Sequence, residues 1–426
     1  MEIVLKNAII LSPDAPYSFS RSDVLISNNK INKIKKSINA KGAEKTDCTG
    51  KILLPGLINA HTHAPMSLLR GVGDDLQLNE WMKKEMWPRE KKLSPSDIKT
   101  GALLAIAEMI RSGITTFNDH YFHMDSVASA VSSANMRSVL GYSMIDMGDF
   151  SGKGISELKI AKQFAQKIST SHSPLLTPSI NPHAPATCSP QLLKHSAQLA
   201  KEFGCILHTH ASETKEEVEF TLKNYKKHPI EFLNKCNCLA SNTVLAHGVH
   251  ATAHEISLIA NAGSSVAHCP VANLKLASGI APIPKYLNAK ANLAIGTDGA
   301  ASNNNLDLFE SMKLGALIQK NSNSNAAAVK AGDYLHMATA GGASALKLNA
   351  GKIKEGCLAD LTFLDASSPN LIPFTNNAGW LVYSTGPQNV CDVMINGKWV
   401  MKNKKLLTIN EKKVIKDAQK IADRIN

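Results

Sequence analysis

Hydrophobic and polar positions alternate in short segments near both ends of the chain, a pattern typical of half-buried β-strands. Residues 30–34 are Lys-Ile-Asn-Lys-Ile, and Asn28-Asn29 directly before them favours a hairpin turn. Near the other end, Asn396-Gly397 separates two short apolar segments, which is a strong hairpin signal. The pattern therefore predicts one small β-sandwich domain built from residues 1–55 and residues 356–426, the latter ending in a Lys-rich surface helix.

The middle of the chain, residues 56–355, alternates short apolar segments with helical patterns. One helix is predicted to begin at Ser94-Pro95, a cap followed by a proline in the first turn, and to end at Gly113. Eight strand–helix units favour an α/β fold, a (β/α)₈ TIM barrel. The predicted strands are 53–59, 115–118, 138–142, 175–180, 206–210, 244–247, 265–268 and 293–296.

Composition narrows the class of protein. Hydrophobic residues make up 44% of the 426 positions, enough for a large core, and no apolar run reaches the ~18 residues of a membrane span. The first residues lack the pattern of a signal peptide, so we expect a cytoplasmic protein. Eight scattered cysteines without paired C-x-x-C spacing argue against a cysteine zinc site.

The net charge of +12 could favour nucleic acid or an acidic membrane. The lysines are spread among apolar residues, however, and aromatic residues make up only 5% of the chain. Platforms for stacking bases are therefore scarce. We expect no nucleic-acid and no membrane partner.

Histidine and aspartate recur where the predicted barrel strands end. His61 and His63 end the first strand, and alternate residues of a strand face the same side, roughly 6.5 Å apart. His210 and His247 end strands five and six, and Asp298 follows strand eight. The carboxyl ends of barrel strands form the catalytic face, so these side chains should converge. Imidazole and carboxylate ligands suit Zn²⁺, with Fe²⁺ and Mn²⁺ as alternatives.

At these residues the chain resembles the amidohydrolase superfamily and, within it, the S-adenosylhomocysteine/5′-methylthioadenosine deaminases and related chlorohydrolases. The resemblance covers nearly the whole chain. The motifs that carry it are Pro55-Gly56-Leu57-Ile58-Asn59-Ala60-His61-Thr62-His63, Asn181-Pro182-His183-Ala184-Pro185, His208-Thr209-His210-Ala211-Ser212-Glu213, His268-Cys269-Pro270 and Gly296-Thr297-Asp298-Gly299.

The resemblance implies a zinc-dependent aminohydrolase that acts on C–N bonds of cyclic amidines, with one divalent metal per subunit. It implies three groups of residues: metal ligands His61, His63, His210 and Asp298; catalytic residues Glu213, His247 and Asp298; and substrate contacts Glu90, His183, Trp81, Glu213 and Asp298. It further implies that Asp298 takes a proton from the attacking water and that Glu213 protonates N1 of an adenine ring. His208 is expected beneath the ligands, and His120 on a surface loop.

The substrate class is left between several adenine nucleosides: 5′-methylthioadenosine, 5′-deoxyadenosine, adenosine and S-adenosylhomocysteine, each converted to its inosine analogue with release of ammonia. Residues 140–149 contain no arginine, whereas relatives that accept S-adenosylhomocysteine are expected to hold its carboxylate there. Neutral 5′ groups are therefore favoured.

Alternative hypotheses on the same scaffold are a guanine deaminase, a triazine-type aminohydrolase or chlorohydrolase, and a non-catalytic binding protein. A homo-oligomer is left open.

Overall fold

The computed structural model describes residues 2–426. Its seventeen strands are β1 (Glu2–Leu11), β2 (Phe19–Ser27), β3 (Lys30–Lys35), β4 (Glu44–Asp47), β5 (Lys51–Pro55), β6 (Leu57–Thr62), β7 (Ile114–Tyr121), β8 (Arg137–Met144), β9 (Leu176–Pro182), β10 (Ile206–Ala211), β11 (Thr243–His247), β12 (Ser265–His268), β13 (Asn292–Ile295), β14 (Leu361–Asp365), β15 (Val390–Ile395), β16 (Lys398–Lys402) and β17 (Lys405–Leu406).

The α-helices are α1 (Leu78–Trp81), α2 (Trp87–Glu90), α3 (Pro95–Arg111), α4 (Met124–Ala134), α5 (Gly154–Thr170), α6 (Pro190–Phe203), α7 (Lys215–Tyr225), α8 (Pro229–Lys235), α9 (Ala253–Ala262), α10 (Pro270–Lys275), α11 (Ile283–Asn288), α12 (Ala300–Asn303), α13 (Leu308–Ser322), α14 (Ala331–His336), α15 (Gly342–Ala345), α16 (Ala378–Ser384) and α17 (Glu411–Ile425). A π-helical segment, Met82–Met86, joins α1 to α2. Within residues 2–426, no helix combines the length and apolar character needed to cross a bilayer.

The barrel consists of β6 to β13 in sequence order, with every paired ladder parallel. Helices connect successive strands, so the predicted (β/α)₈ barrel is confirmed. Between β13 and β6 the described residues form no ladder, but hydrogen bonds join β6 to the residues that follow β13, among them the Asp298 N–H to the His61 carbonyl over 3.0 Å. The Asn59 amide donates to Thr297 Oγ1 over 2.7 Å and accepts from the Thr297 N–H over 3.0 Å.

The other strands form one nine-stranded sheet that combines both termini, as expected. Most of its pairs are antiparallel, but β1 pairs in parallel with β4 and β5. Ile31 of β3 and Met394 of β15 lie in the same buried cluster, so the sheet encloses its own core. The domain boundaries at residues 55 and 355 stay a prediction.

The predicted first barrel strand, residues 53–59, is wrong as a single element. It is divided at Gly56 into β5, in the terminal sheet, and β6, in the barrel. Gly56 donates its N–H to the Asp360 carbonyl over 2.9 Å. A Cβ at this position would lie 2.1 Å from Thr115 Oγ1, so only glycine fits where the chain passes from one sheet to the other.

The predicted C-terminal helix is present as α17, but only one of its faces is exposed. Val414, Ala418 and Ile425 are buried, and Arg424 and Glu411 form ion pairs with Asp97 and Arg111 of α3. The C-terminus therefore packs on a barrel helix. The predicted start of α3 is confirmed, because Ser94 and Asp97 form a reciprocal capping box.

Candidate metal centre and active site

The strand ends bring four predicted metal ligands together. The His210 and His63 Nε2 atoms are 3.3 Å apart. Asp298 Oδ1 lies 3.4 Å from His63 Nε2 and 3.5 Å from His61 Nε2. Zn–N bonds of about 2.0–2.1 Å in a tetrahedral site place ligand atoms roughly 3.3–3.4 Å apart. These three spacings match those between ligands of a tetrahedral divalent metal.

Hydrogen bonds on the far side of the rings fix which nitrogen faces the centre. His63 Nδ1 donates to the His120 carbonyl, and His210 Nδ1 donates to the His183 carbonyl over 2.7 Å. A carbonyl can only accept, so in both neutral rings Nε2 carries the free lone pair. His61 Nδ1 lies 2.9 Å from His208 Nε2, whereas His61 Nε2 is buried without a hydrogen-bond partner among the described residues. This arrangement of bare nitrogens calls for a cation.

Burial keeps these imidazoles neutral. It lowers the pKa of His61 to about 4 and holds the pKa of His210 well below its ordinary value. Burial would raise the pKa of Asp298, but the His61 ring, whose Nε2 lies 3.5 Å from Oδ1, and the nearby histidines outweigh it and lower that pKa. Neutral imidazoles and an ionised carboxylate are the forms that bind metals.

Glu213 and His247 lie beside the metal donors. His247 Nε2 is 3.7 Å from Glu213 Oε2, and His247 Nδ1 is 2.8 Å from Asn273 Oδ1. Burial raises the pKa of Glu213, which favours a carboxyl group that can hold and release a proton. Burial opposes the charged form of His247, but Glu213 and Asp298 outweigh it and raise the pKa of His247. His247 also forms a second donor group with His61 and His210.

A cavity of about 270 Å³ opens above this cluster. Every predicted substrate contact lines its wall: Glu90, Trp81, His183, Glu213 and Asp298. The Tyr121 hydroxyl donates to Glu90 Oε1 over 2.6 Å, while Trp81 Nε1 donates to the Val72 carbonyl over 2.9 Å. His183 Nδ1 lies 2.8 Å from Thr187 Oγ1, and its ring centroid is 4.7 Å from that of His210. The predicted residues thus share one cavity, while their individual roles stay predictions.

The amidohydrolase family pattern matches residues 52–400, most of the chain. The chain belongs to the amidohydrolase family.

Relatives of this amidohydrolase share its full length. It is 42% identical to a 5′-deoxyadenosine deaminase of Methanosphaera stadtmanae over 99% of both chains. It is 44% identical to a 5-methylthioadenosine/S-adenosylhomocysteine deaminase of Thermococcus kodakarensis over 94% of each. A crystal structure of an adenosine deaminase from Xanthomonas campestris with bound zinc superposes with a TM-score of 0.92, at 33% identity and 99% coverage of both chains.

The expected location of His120 in this amidohydrolase was wrong. His120 is the seventh residue of β7 and is 1% exposed. Its Nε2 lies 2.9 Å from Ser143 Oγ, and its ring centroid lies 4.8 Å from that of His210. The strand runs three residues past its predicted end at Asn118, so His120 lies within the cluster. The alternation of 118, 120 and 122 could have signalled this.

Two further residues were missed. Asn59 joins the barrel edges beside His61. Glu217, in α7, is 9% exposed, lines the cavity and accepts the Glu213 N–H over 2.8 Å. Its position four residues after Glu213 was the available signal.

Proposed function

We propose that this protein is a metal-dependent deaminase that converts the 6-amino group of an adenine nucleoside to a carbonyl oxygen, with release of ammonia. The observation that carries the proposal is the placement of Glu213 and His247 beside the cluster of His61, His63, His210 and Asp298, with Glu90 in the wall of the same cavity. The names of relatives at 42–44% identity support it.

His61, His63, His210 and Asp298 would hold the metal, with Zn²⁺ favoured and Fe²⁺ or Mn²⁺ as alternatives. A divalent metal held there lowers the pKa of water from 15.7 toward about 7. The convergent bare nitrogens of His61, His63 and His210 fit such an ion.

The chain's own residues complete the reaction. Asp298 accepts a proton from the attacking water, and His247 orients that water with its Nε2 while Asn273 fixes its ring. Glu213 donates a proton to N1 of the adenine, which makes C6 electrophilic. Asp298 then passes its proton to the amino group, ammonia leaves the tetrahedral C6, and Glu213 regains a proton from the C6 hydroxyl as the carbonyl forms.

Glu90 favours a nucleoside as the substrate. A carboxylate can accept hydrogen bonds from two ribose hydroxyl groups, whereas a free base or a triazine ring carries no such hydroxyl groups. The proposed substrates are therefore 5′-deoxyadenosine, 5′-methylthioadenosine and adenosine, with S-adenosylhomocysteine less favoured. Guanine deamination and triazine hydrolysis are the alternative reactions, and in both the substrate would have no ribose for Glu90 to bind.

A spectroscopic assay of the zinc-loaded protein against these four nucleosides, guanine and a triazine tests the proposal. We expect the adenine absorbance to shift to that of hypoxanthine with at least one nucleoside. Turnover of guanine or the triazine alone would refute the nucleoside assignment.

Glu213→Gln tests the acid/base role within the same assay. The amide cannot deliver the proton, so we expect kcat to fall by about 10²–10⁴-fold with zinc content unchanged. The exposed neighbour variant Glu216→Gln serves as the control. A Glu213→Gln protein that keeps most of its kcat would contradict the assignment.

A further inference from the structure

Glu217 is a buried carboxylate beside the active site that the proposed reaction does not use. It is the third residue of α7, whose N-cap is Thr214, and the Thr214 hydroxyl already accepts the Glu217 N–H over 3.2 Å. The helix is therefore capped without the Glu217 side chain. A buried carboxyl group is unfavourable unless its hydrogen bonds repay it. The partners of the carboxylate should explain its presence.

Glu217 departs from the capping pattern seen elsewhere in the protein. In α9 the glutamate at the same helix position, Glu255, accepts the N–H of its own N-cap residue, Thr252, over 2.9 Å. In α7 the glutamate reaches one residue further back, and Glu217 Oε2 accepts the N–H of Glu213 over 2.8 Å. The glutamate side chain, which in a reciprocal capping box accepts the N–H of the N-cap residue, here accepts the N–H of the proposed acid/base residue instead.

The backbone at this point needs support. Strand β10 ends at Ala211, and Ser212 then adopts φ = 52°, a left-handed conformation that is unfavourable for serine. The Ser212 carbonyl accepts the His250 N–H over 2.8 Å. That bond holds one side of the turn, and Glu217 holds the other. Together they set the direction in which the Glu213 side chain leaves the turn.

The second carboxylate oxygen of Glu217 has no partner that would neutralise its charge. Glu217 Oε1 is buried and has no hydrogen-bond partner among residues 2–426. Burial, with Glu213 nearby, raises the pKa of Glu217 to about 7, although the backbone N–H groups of Glu213 and Ser212 oppose this shift. Among the described residues, the N–H of Glu213 is thus the group that donates to this side chain with hydrogen-bond geometry.

We propose that Glu217 is a positioning residue that holds the Glu213 backbone so that the Glu213 carboxyl group stays beside His247 and the N1 atom of the substrate. The inference rests on the proposed deaminase function. It predicts that loss of the hydrogen-bond acceptor at position 217 slows proton delivery, while loss of the charge alone has a much smaller effect.

Three zinc-loaded variants test this: Glu217→Ala, Glu217→Gln and the control Glu216→Ala, at the exposed neighbouring position in the same helical turn. Displacement of a catalytic group by about 1 Å can cost about 10²-fold in rate. We therefore expect Glu217→Ala to lower kcat by about 10²-fold with KM within about threefold. Glu217→Gln keeps an acceptor for the Glu213 N–H, so its kcat should stay within about tenfold of wild type, and Glu216→Ala should match wild type.

The inhibition constant of purine riboside is a second measurement, and it should not change if Glu217 has only a structural role. Its inhibitory hydrate forms only when water adds across C6 and N1, so the inhibition constant should rise in proportion to the fall in kcat for Glu217→Ala. Zinc content and Tm are measured on the same samples, so that incomplete folding is separated from lost positioning.

Three results would overturn the inference: a Glu217→Ala kcat within threefold of wild type, equal losses in Glu217→Ala and Glu217→Gln, or an unchanged purine riboside constant. If the wild-type protein turns over no nucleoside, the proposed deaminase function is refuted, but the positioning of Glu213 by Glu217 is not yet tested. A crystal structure of Glu217→Ala then still decides, because the inference requires Glu213 Oε2 to leave its position 3.7 Å from His247 Nε2.

Discussion

At the scale of single residues, Glu90 shows how the cavity could control binding. Its carboxyl group has one hydrogen-bond donor among the described residues, the Tyr121 hydroxyl. Burial raises the pKa of Glu90 to about 7, and the Tyr121 bond offsets only part of this shift. The charge of Glu90 therefore changes near neutral pH, at the site proposed to bind the ribose.

We expect KM for 5′-deoxyadenosine to fall as the pH rises from 6 to 8, because only ionised Glu90 accepts from both ribose hydroxyls. The stability of the free protein depends on pH in the opposite direction, because ionisation of buried Glu90 is unfavourable without substrate. The folded-state pKa lies above the ordinary 4.5, so the stabilising contribution is complete below about pH 4.5 and is lost as the pH rises through about 7. Glu90→Gln should raise KM at pH 8 and flatten its pH dependence. A wild-type KM that is constant between pH 6 and 8 would refute this.

The same scale shows what sequence reasoning could and could not supply. The convergence of His61, His63, His210 and Asp298 could be predicted because each lies at or just after a strand end, where the barrel fold fixes the direction of side chains. Glu217 could not be assigned, because its role depends on a hydrogen bond to a backbone N–H four residues away. Helical periodicity places it only on a face of α7.

At the scale of elements, the helical segment 78–90 forms much of the cavity wall. Its π-helical turn, Met82–Met86, shifts the helical phase, and Lys83 lines the cavity beside Trp87 and Glu90. The neighbouring cations are paired along the helix: Lys84 with Glu80 and Arg89 with Glu85. Lys83 is the one lysine or arginine in the described cavity wall.

Lys83→Met should therefore act on charged 5′ groups only. Where S-adenosylhomocysteine is turned over, we expect its kcat/KM to fall by about tenfold, the size of one charge-assisted hydrogen bond of about 1.4 kcal/mol or more. For 5′-deoxyadenosine, kcat/KM should stay within twofold. Lys84→Met, which removes a largely exposed ammonium from the same segment, is the matched control. Equal changes for both substrates would refute a role of Lys83 in selecting the 5′ group.

The elements themselves differ in how well the sequence predicts them. Strand β12 has the predicted bounds, residues 265–268, because a short buried run between helices leaves little choice of register. The division of residues 53–59 at Gly56 was missed, because both halves are equally apolar. Only the close approach of Thr115 and the bond to Asp360 distinguish them.

At the scale of the whole molecule, the proposed metal site lies where the barrel closes. His61 lies in β6, His63 directly follows that strand, and Asp298 follows β13; β6 and β13 are the two edge strands of the eight-strand order. The edges are held by the Asn59–Thr297 pair and by the Thr62 hydroxyl, which donates to the Asp298 carbonyl over 2.9 Å. A metal bound by these residues would link both edges to β10, which carries His210.

We therefore expect chelation to lower the Tm of the whole barrel and added Zn²⁺ to restore it. A ligand at 100 times its Kd stabilises by about 2.7 kcal/mol, which corresponds to a Tm shift of a few degrees in a chain of this size. His210→Ala should abolish the zinc-dependent shift, and the exposed helix variant His195→Ala should keep it. His247→Ala distinguishes the two donor groups. If His247 only orients water, this variant keeps one zinc per chain and loses turnover. Loss of zinc together with turnover would instead make His247 a ligand and contradict the proposed set of four.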